Sequence, residues 1–109
     1  MLVDGWGRII HISSRTAVQP RAKQAGYVVS KLGLIALTES IAAEVKGTGV
    51  TANVILPSII DTRANRAAIT KPDPSRWVPT EHIAATMRFL CSDAAASING
   101  TRVRLYGGV

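Results

Sequence analysis

The sequence predicts an α/β domain: a partial, doubly wound parallel sheet of about three strands with flanking helices. Three observations carry that expectation. Short runs of strand character alternate with stretches of helical period, in the order β-α-β-(loop)-α-β, and strands separated by helices imply parallel pairing through right-handed crossovers. The chain has 109 residues, 47% of them hydrophobic, which makes one small domain and excludes both two full domains and disorder. The first strand begins eight residues from the start, and nothing in the chain obviously flanks it. A parallel strand is normally central, so this one is expected to keep an unpaired apolar edge. The chain reads as the second half of a doubly wound domain.

Arg8 to Ser13, R-I-I-H-I-S, is a β-branched run ending in Ser13-Ser14 and reads as a buried strand. Residues 14–25 hold Pro20, two glutamines and several charges without a period, so they read as a loop. From Gly26 to about Lys46, apolar side chains at Val28, Leu32, Ile35, Ile41 and Val45 recur close to a helical period. That long helix is stopped by Gly47 and Gly49. Val50 to Leu56, V-T-A-N-V-I-L, is a second strand closed by Pro57. Residues 58–79 are irregular, with Pro72, Pro74 and Pro79, and a short helix over Arg63–Ile69. Thr80 suits the N-cap of another helix, Glu81 favours its positive end, and Ile83, Met87 and Leu90 give it an apolar face ending near Ser92–Asp93. Asn99-Gly100 reads as a turn, and Thr101 to Tyr106, T-R-V-R-L-Y, alternates as a third strand. There are no internal repeats or low-complexity segments.

The charge balance is basic, with Lys+Arg 13 against Asp+Glu 7 and a net charge of +6. The charges are scattered: residues 1–50 hold six basic and three acidic groups, and the rest hold seven and four. With no basic run and only 5% aromatic residues, a nucleic-acid surface is not expected. The single cysteine, Cys91, cannot form an internal disulfide, and a zinc site would need several more soft ligands. No metal is expected, and a reducing, cytoplasmic setting follows. The start, M-L-V-D-G-W-G-R, lacks the basic and apolar regions of a signal peptide. Uninterrupted apolar runs of a few residues fall far short of the roughly 20 that span a bilayer, so no membrane partner is expected.

The informative constellation is Ser14, Tyr27 and Lys31. Tyr27 and Lys31 stand four apart at the start of the long helix, on one face and one turn apart. Ser14 follows the first strand at its carboxyl edge, where open α/β sheets bind ligands. A phenol has a pKa of about 10 and is a poor acid-base group at neutral pH. A nearby ammonium favours the phenolate and draws that value toward the working pH. Ser14 could then donate a hydrogen bond to a carbonyl oxygen while Tyr27 passes it a proton. The hydride needed at carbon must come from a cofactor, because no side chain supplies one.

Each residue has a plainer reading when taken alone. A Tyr with a Lys at i+4 is usually a solvated helix-face contact, and Ser14 would be a turn or cap residue. His11, in mid-strand, reads as a packed histidine. Trp6 and Trp77 read as packing residues, Cys91 as packed in its helix, and Asp61 and Thr62 as a loop turn and a cap for the short helix. It is the combination that points to chemistry.

I-S-S at 12–14, Y-V-V-S-K at 27–31, N-V-I-L-P-S-I-I-D-T at 53–62 and N-G before the last strand occur in order. In this the sequence resembles the short-chain dehydrogenase/reductase family, over essentially the whole chain and matching only the family's C-terminal half. The resemblance implies a Rossmann-type fold and NAD- or NADP-dependent interconversion of a small-molecule carbonyl and alcohol. It implies that Tyr27 is the general acid/base and that Lys31 lowers its pKa and holds the nicotinamide ribose. The family's serine, thirteen residues before the tyrosine, falls on Ser14 rather than Ser13. The family's Pro-Gly-x-Ile/Val-x-Thr loop, which lines the nicotinamide, falls on Pro57-Ser58-Ile59-Ile60-Asp61-Thr62. There the backbone of Ile60 would meet the carboxamide and Thr62 would cap the loop beside it. The cofactor-binding set so implied is Tyr27, Lys31, Pro57, Ile60 and Thr62.

The sequence also departs from the family. Ser58 replaces the usual glycine, which narrows the backbone options of that loop. His11 stands where many relatives have asparagine. The stretch from Asp61 to Trp77 is closer to the dihydropteridine-reductase-like branch. The Gly-rich strand–turn–helix that receives the pyrophosphate has no counterpart; Gly5-Trp6-Gly7 has neither its spacing nor its strand. Residues 1–109 are therefore expected to be a catalytic half without the dinucleotide-binding half, and inactive alone. Pairing with that missing half or with a second copy, as a homo-oligomer, would use the open edge of the first strand. The alternative is a non-catalytic interaction module built on that edge. Substrate choice is expected from residues 14–26 and 63–79.

Overall fold

The most continuously apolar stretch of the chain forms the middle of the sheet. In the computed structural model, which describes residues 1–109, Val50–Pro57 (β2) is buried at all eight positions. Gly7–Ile12 (β1) pairs along one side of it and Arg102–Leu105 (β3) along the other, both parallel, in the order β1-β2-β3. The registers run from Gly7 opposite Val50 to Ile12 opposite Ile55, and from Val54 opposite Arg102 to Pro57 opposite Leu105. Both outer strands are edges, so β1 keeps one side of its backbone unpaired. The expected α/β class, partial parallel sheet and element order are all present.

The connections are helical. Ala25–Glu44 (α1) joins β1 to β2, and Arg63–Ala68 (α2) and Thr80–Cys91 (α3) lie between β2 and β3. Alternation along β2 sends Val54 and Leu56 to one face, where they cluster with Ala17 and with Ile35 of α1. α1 packs along that strand, and α3 lies against β1. Gly47 and Gly49 both take left-handed backbone angles, φ 80° and 82°, and a side chain on Gly49 would collide with the Gly5 carbonyl. Glycine there lets the chain end α1 and turn straight into β2.

The buried stripe of α1 differs from the expected one. It runs through Ile35, Thr38, Ala42 and Val45, while Leu32 is 45% exposed and Val28 and Ile41 are half-buried. Thr38, fully buried, is tolerated because its hydroxyl donates to Leu34 O at 2.7 Å. That commits its one proton, so its oxygen accepts from His11 Nδ1 at 2.8 Å. His11 is the packed histidine the sequence suggested, with its ring proton on Nδ1. With 20 residues and a mean hydropathy of 1.2, α1 is also long and apolar enough to cross a bilayer. Its packing on β2 gives it the place of a layer helix.

Four further expectations are corrected. Thr80 does not cap α3: it is the first helical residue, Pro79 holds the cap position with φ −63°, and no side chain caps the end. Pro79 is extended, with ψ 143°, and the helix begins directly after it, one residue earlier than expected. In α3, Leu90 is buried and Ile83 half-buried, but Met87 is 37% exposed. Cys91 is exposed at the end of α3 rather than packed. Trp77 is buried as expected, whereas Trp6 is half exposed, with the Arg8 guanidinium stacked over it at 4.8 Å.

Ahead of β3, side chains add to the backbone bond from Gly100 N to Ala52 O. Asn99 Oδ1 accepts from Ala52 N at 3.0 Å, and Asn99 Nδ2 donates to Ala42 O at 2.9 Å. Asn53 Nδ2 donates to Ile98 O and Asn53 Oδ1 accepts from Thr101 N, both at 2.9 Å. Together the two amides join β2, the end of α1 and the turn into β3.

Candidate active site

The carboxyl end of β1 fixes the start of α1. Ser13 continues the ladder by donating its N–H to Ile55 O at 2.8 Å, and its hydroxyl donates to Lys31 O at 2.8 Å. Lys31 reaches back, Nζ donating to Ile12 O at 3.1 Å. These reciprocal bonds pin the second turn of α1 onto the strand end. Tyr27 stands one turn earlier, its ring centroid 5.9 Å from Lys31 Nζ. Its side chain is half exposed, and its hydroxyl has no partner within the chain.

Ser14 caps the 3-10 turn Arg15–Ala17 by accepting from Thr16 N at 3.2 Å. The cap uses a lone pair and leaves the hydroxyl proton free to be donated. Capping and donation to a substrate are therefore compatible roles for one oxygen.

Ser14 and Tyr27 line the same open cleft, of about 290 Å³. Ser58 and Ile59, from the loop after β2, line it too. Lys31 does not line it and stands next to Tyr27 instead. Of the sequence-derived catalytic residues, the fold thus brings Ser14 and Tyr27 into one cleft and sets Lys31 beside the tyrosine.

The loop after β2 is firmly tied. Pro57 is buried at the strand end. Ser58 N donates to Leu105 O at 3.0 Å, and Ser58 Oγ to Tyr106 O at 2.7 Å. Ser58 is not in the left-handed region, so a side chain costs nothing there, and its hydroxyl adds a tether to the end of β3. Ile60 pairs with Val78 in a short parallel bridge. Its carbonyl accepts from Asn65 Nδ2 at 2.8 Å, while its N–H is left without a partner in the chain. Thr62 caps α2, its hydroxyl oxygen accepting from Asn65 N at 3.1 Å, as its plainer reading held. Asp61 takes both arms of Arg66, at 2.7 and 2.8 Å, and that pairing holds its carboxyl below the usual carboxylate range. Ile60 and Thr62 do not themselves line the cleft.

The uncommitted donors suit the nicotinamide end of a dinucleotide. Lys31 has three ammonium protons and one acceptor in the chain, which leaves protons for ribose hydroxyls. The free N–H of Ile60 suits a carboxamide oxygen. No cluster of histidine, cysteine or carboxylate side chains has the arrangement of a metal site. The sequence reading did not single out Arg15, Gln19, Arg21, Gln24 and Asn65, all of which line the cleft. Four of them lie in the irregular stretch before α1 and Asn65 lies in α2, so only their place between the motifs could have drawn attention to them.

A family model described as enoyl-(acyl carrier protein) reductase matches residues 1–109. The chain is 36% identical over 117 residues to Nodulation protein G of Azospirillum brasilense, covering 100% of this chain and 48% of that protein. It is 35% identical over 117 residues, with the same coverage, to the 3-oxoacyl-(acyl-carrier-protein) reductase FabG of Salmonella typhimurium. Among solved structures, the crystal structure of TT0495 protein from Thermus thermophilus superposes with a TM-score of 0.85 at 27% identity, covering 99% of this chain and 50% of that one. The chain spans about half the length of the curated relatives it matches.

Proposed function

The chain belongs to the short-chain dehydrogenase/reductase family, and from that premise we propose that residues 1–109 are the catalytic, C-terminal half of an NAD(P)-dependent oxidoreductase that interconverts a carbonyl and an alcohol. The observation that carries the reading is the joint geometry of Ser14 and Tyr27 on one cleft, with Lys31 pinned beside the tyrosine by the Ile12 carbonyl.

In the reducing direction, Ser14 donates its uncommitted proton as a hydrogen bond to the substrate carbonyl oxygen and orients it. Tyr27 passes its phenolic proton to that oxygen. The nicotinamide, when bound, supplies the hydride that completes the alcohol at carbon. Lys31 keeps a positive charge beside the phenol as it gives up its proton, and offers its remaining protons to the ribose hydroxyls. Ile60 offers its N–H to the carboxamide, and the ties of Pro57, Ser58 and Thr62 hold the loop that presents it. In the oxidising direction Tyr27 takes the proton from the alcohol.

The groups that hold the pyrophosphate and adenosine are assigned to a dinucleotide-binding half outside these residues. That half would extend the sheet from the free edge of β1, whether it is part of the same polypeptide or a separate chain. A cytoplasmic setting fits the single, unpaired cysteine. The names of the similar reductases support a carbonyl as the reacting centre, while the dihydropteridine-reductase-like character of residues 61–77 rests on the sequence alone.

The test uses the nicotinamide end by itself. Titrating the isotope-labelled protein with reduced nicotinamide mononucleotide should shift the amide resonances of Tyr27, Lys31 and Ile60. Shifts confined to other parts of the chain, or none at saturating ligand, would remove the proposal.

A further inference from the structure

The cleft that holds Ser14 and Tyr27 has a sign. Arg15 and Arg21 both line it, and no aspartate or glutamate does. The other side chains that line it are neutral, including Gln19 and Gln24, and the main chain of Val109 lines it as well. Neither arginine pairs with an aspartate or glutamate side chain, the ion pairs of the chain being Arg66 with Asp61 and Arg102 with Glu39. The nearby acid, Asp61, is thus already taken in both its oxygens.

The two arginines are held differently. Arg15 is built in: its guanidinium stacks over Tyr106 at 4.7 Å, Nε donates to Gln19 Oε1 at 2.9 Å, and Nη1 donates to Val109 O at 2.7 Å. Its charge is held in place and already directed at the main-chain oxygen of Val109. Arg21 is exposed and makes no hydrogen bond or ion pair within the chain. It follows Pro20 and precedes Lys23, whose left-handed φ of 64° turns the chain back toward α1. A free guanidinium on a cleft lined by no aspartate or glutamate is a recognition element for an anion.

We propose that the substrate is an anionic carbonyl compound, one carrying a carboxylate or phosphate, and that Arg21 is the residue that selects for that charge, with Arg15 supporting it. This rests on the reading of Ser14 and Tyr27 as the carbonyl-binding pair, and it adds the charge of the rest of the substrate. The anion lies against Arg21 while the carbonyl lies against Ser14. The charge-assisted hydrogen bond is made equally before and during reaction, so it governs affinity rather than the chemical step.

The experiment compares levulinate with its uncharged isostere, methyl isoamyl ketone, followed through the Ser14 and Tyr27 amide resonances of the labelled protein. Levulinate should bind at least about tenfold more tightly, the range expected for one hydrogen bond to a charged partner. Arg21→Gln should abolish that preference and leave the affinity for the neutral ketone unchanged, and Arg21→Lys should restore part of it. Equal affinities for the two ketones, unaffected by Arg21→Gln, would overturn the charge selection while leaving the carbonyl site in place. If neither ketone moves the Ser14 and Tyr27 resonances, the carbonyl reading falls and this inference with it.

Discussion

Replacing Asn99 by alanine should destabilise the protein more than replacing Asn53, although Asn53 is the more deeply buried of the two, at 1% exposed. The reason lies in what each change leaves behind. Asn99 satisfies the N–H of Ala52 and the carbonyl of Ala42, residues 0% and 4% exposed. Ala52 sits fully buried in mid-strand, and its N–H is left without a partner when the amide is removed. Asn53 serves Ile98 and Thr101, which are half-buried and exposed and can be solvated instead. A lost hydrogen bond costs about 1 kcal/mol net, and an orphaned buried group about 1–3 kcal/mol. Asn99→Ala should therefore cost roughly 2–4 kcal/mol, and Asn53→Ala roughly 1–2 kcal/mol. Urea unfolding followed by far-UV circular dichroism measures both. With a slope of about 1–3 kcal/mol per molar, the Asn99 variant should lose on the order of 1–2 M in its midpoint. An Asn99→Ala variant within about 0.5 kcal/mol of the parent, or a more damaging Asn53→Ala, would contradict this ranking.

Other consequences follow from the loop after β2. Ser58→Gly, which restores the residue usual in the family, should lose about 1–2 kcal/mol, because it deletes the tether to Tyr106 O and adds backbone freedom; thermal unfolding checks this. Thr62→Ala should weaken the start of α2 by about 1 kcal/mol and raise the hydrogen-exchange rate of the Asn65 amide. The Asp61–Arg66 pair lowers the aspartate pKa in the folded state. Its contribution is therefore complete above the unfolded value of about 3.9 and is lost as pH falls through the lowered folded value. The Arg66 Nε–H resonance should accordingly keep its position from neutral pH to about 4 and move only below that. A midpoint near neutrality would contradict the assignment.

How much was legible in the sequence depends on the element. β2 was plain because a strand covered on both faces has little polar to interrupt it, and its two polar members, Thr51 and Asn53, are buried too. The Tyr27–Lys31 pair was plain because helix geometry alone sets a spacing of four on one face. The face of α1 was read less well. Hydrophobicity favoured Leu32, which is exposed, and passed over Thr38, whose burial depends on a proton given to Leu34 and a lone pair given to His11. No pattern along the chain carries such a cross-element bond. The same holds for the cleft: Ser14 and Tyr27 lie in regular elements or at their ends, but Arg15 and Arg21 sit in a stretch with no period, and only the folded loop reveals that both face the site. Residues 14–26, expected to tune specificity, supply half of that lining. The expected segment 63–79 contributes Asn65 and Ile69.

The proton-transfer role of the Tyr27 phenol is tested most directly by removing one oxygen. Tyr27→Phe keeps the ring, the helix and the neighbouring ammonium, and deletes only the group that gives up the proton. In a preparation that includes the dinucleotide-binding half, turnover measured by nicotinamide oxidation should fall by about 10²–10⁴-fold, while cofactor affinity stays within about threefold of the parent. Turnover that persists near the parental rate would mean that another group delivers the proton.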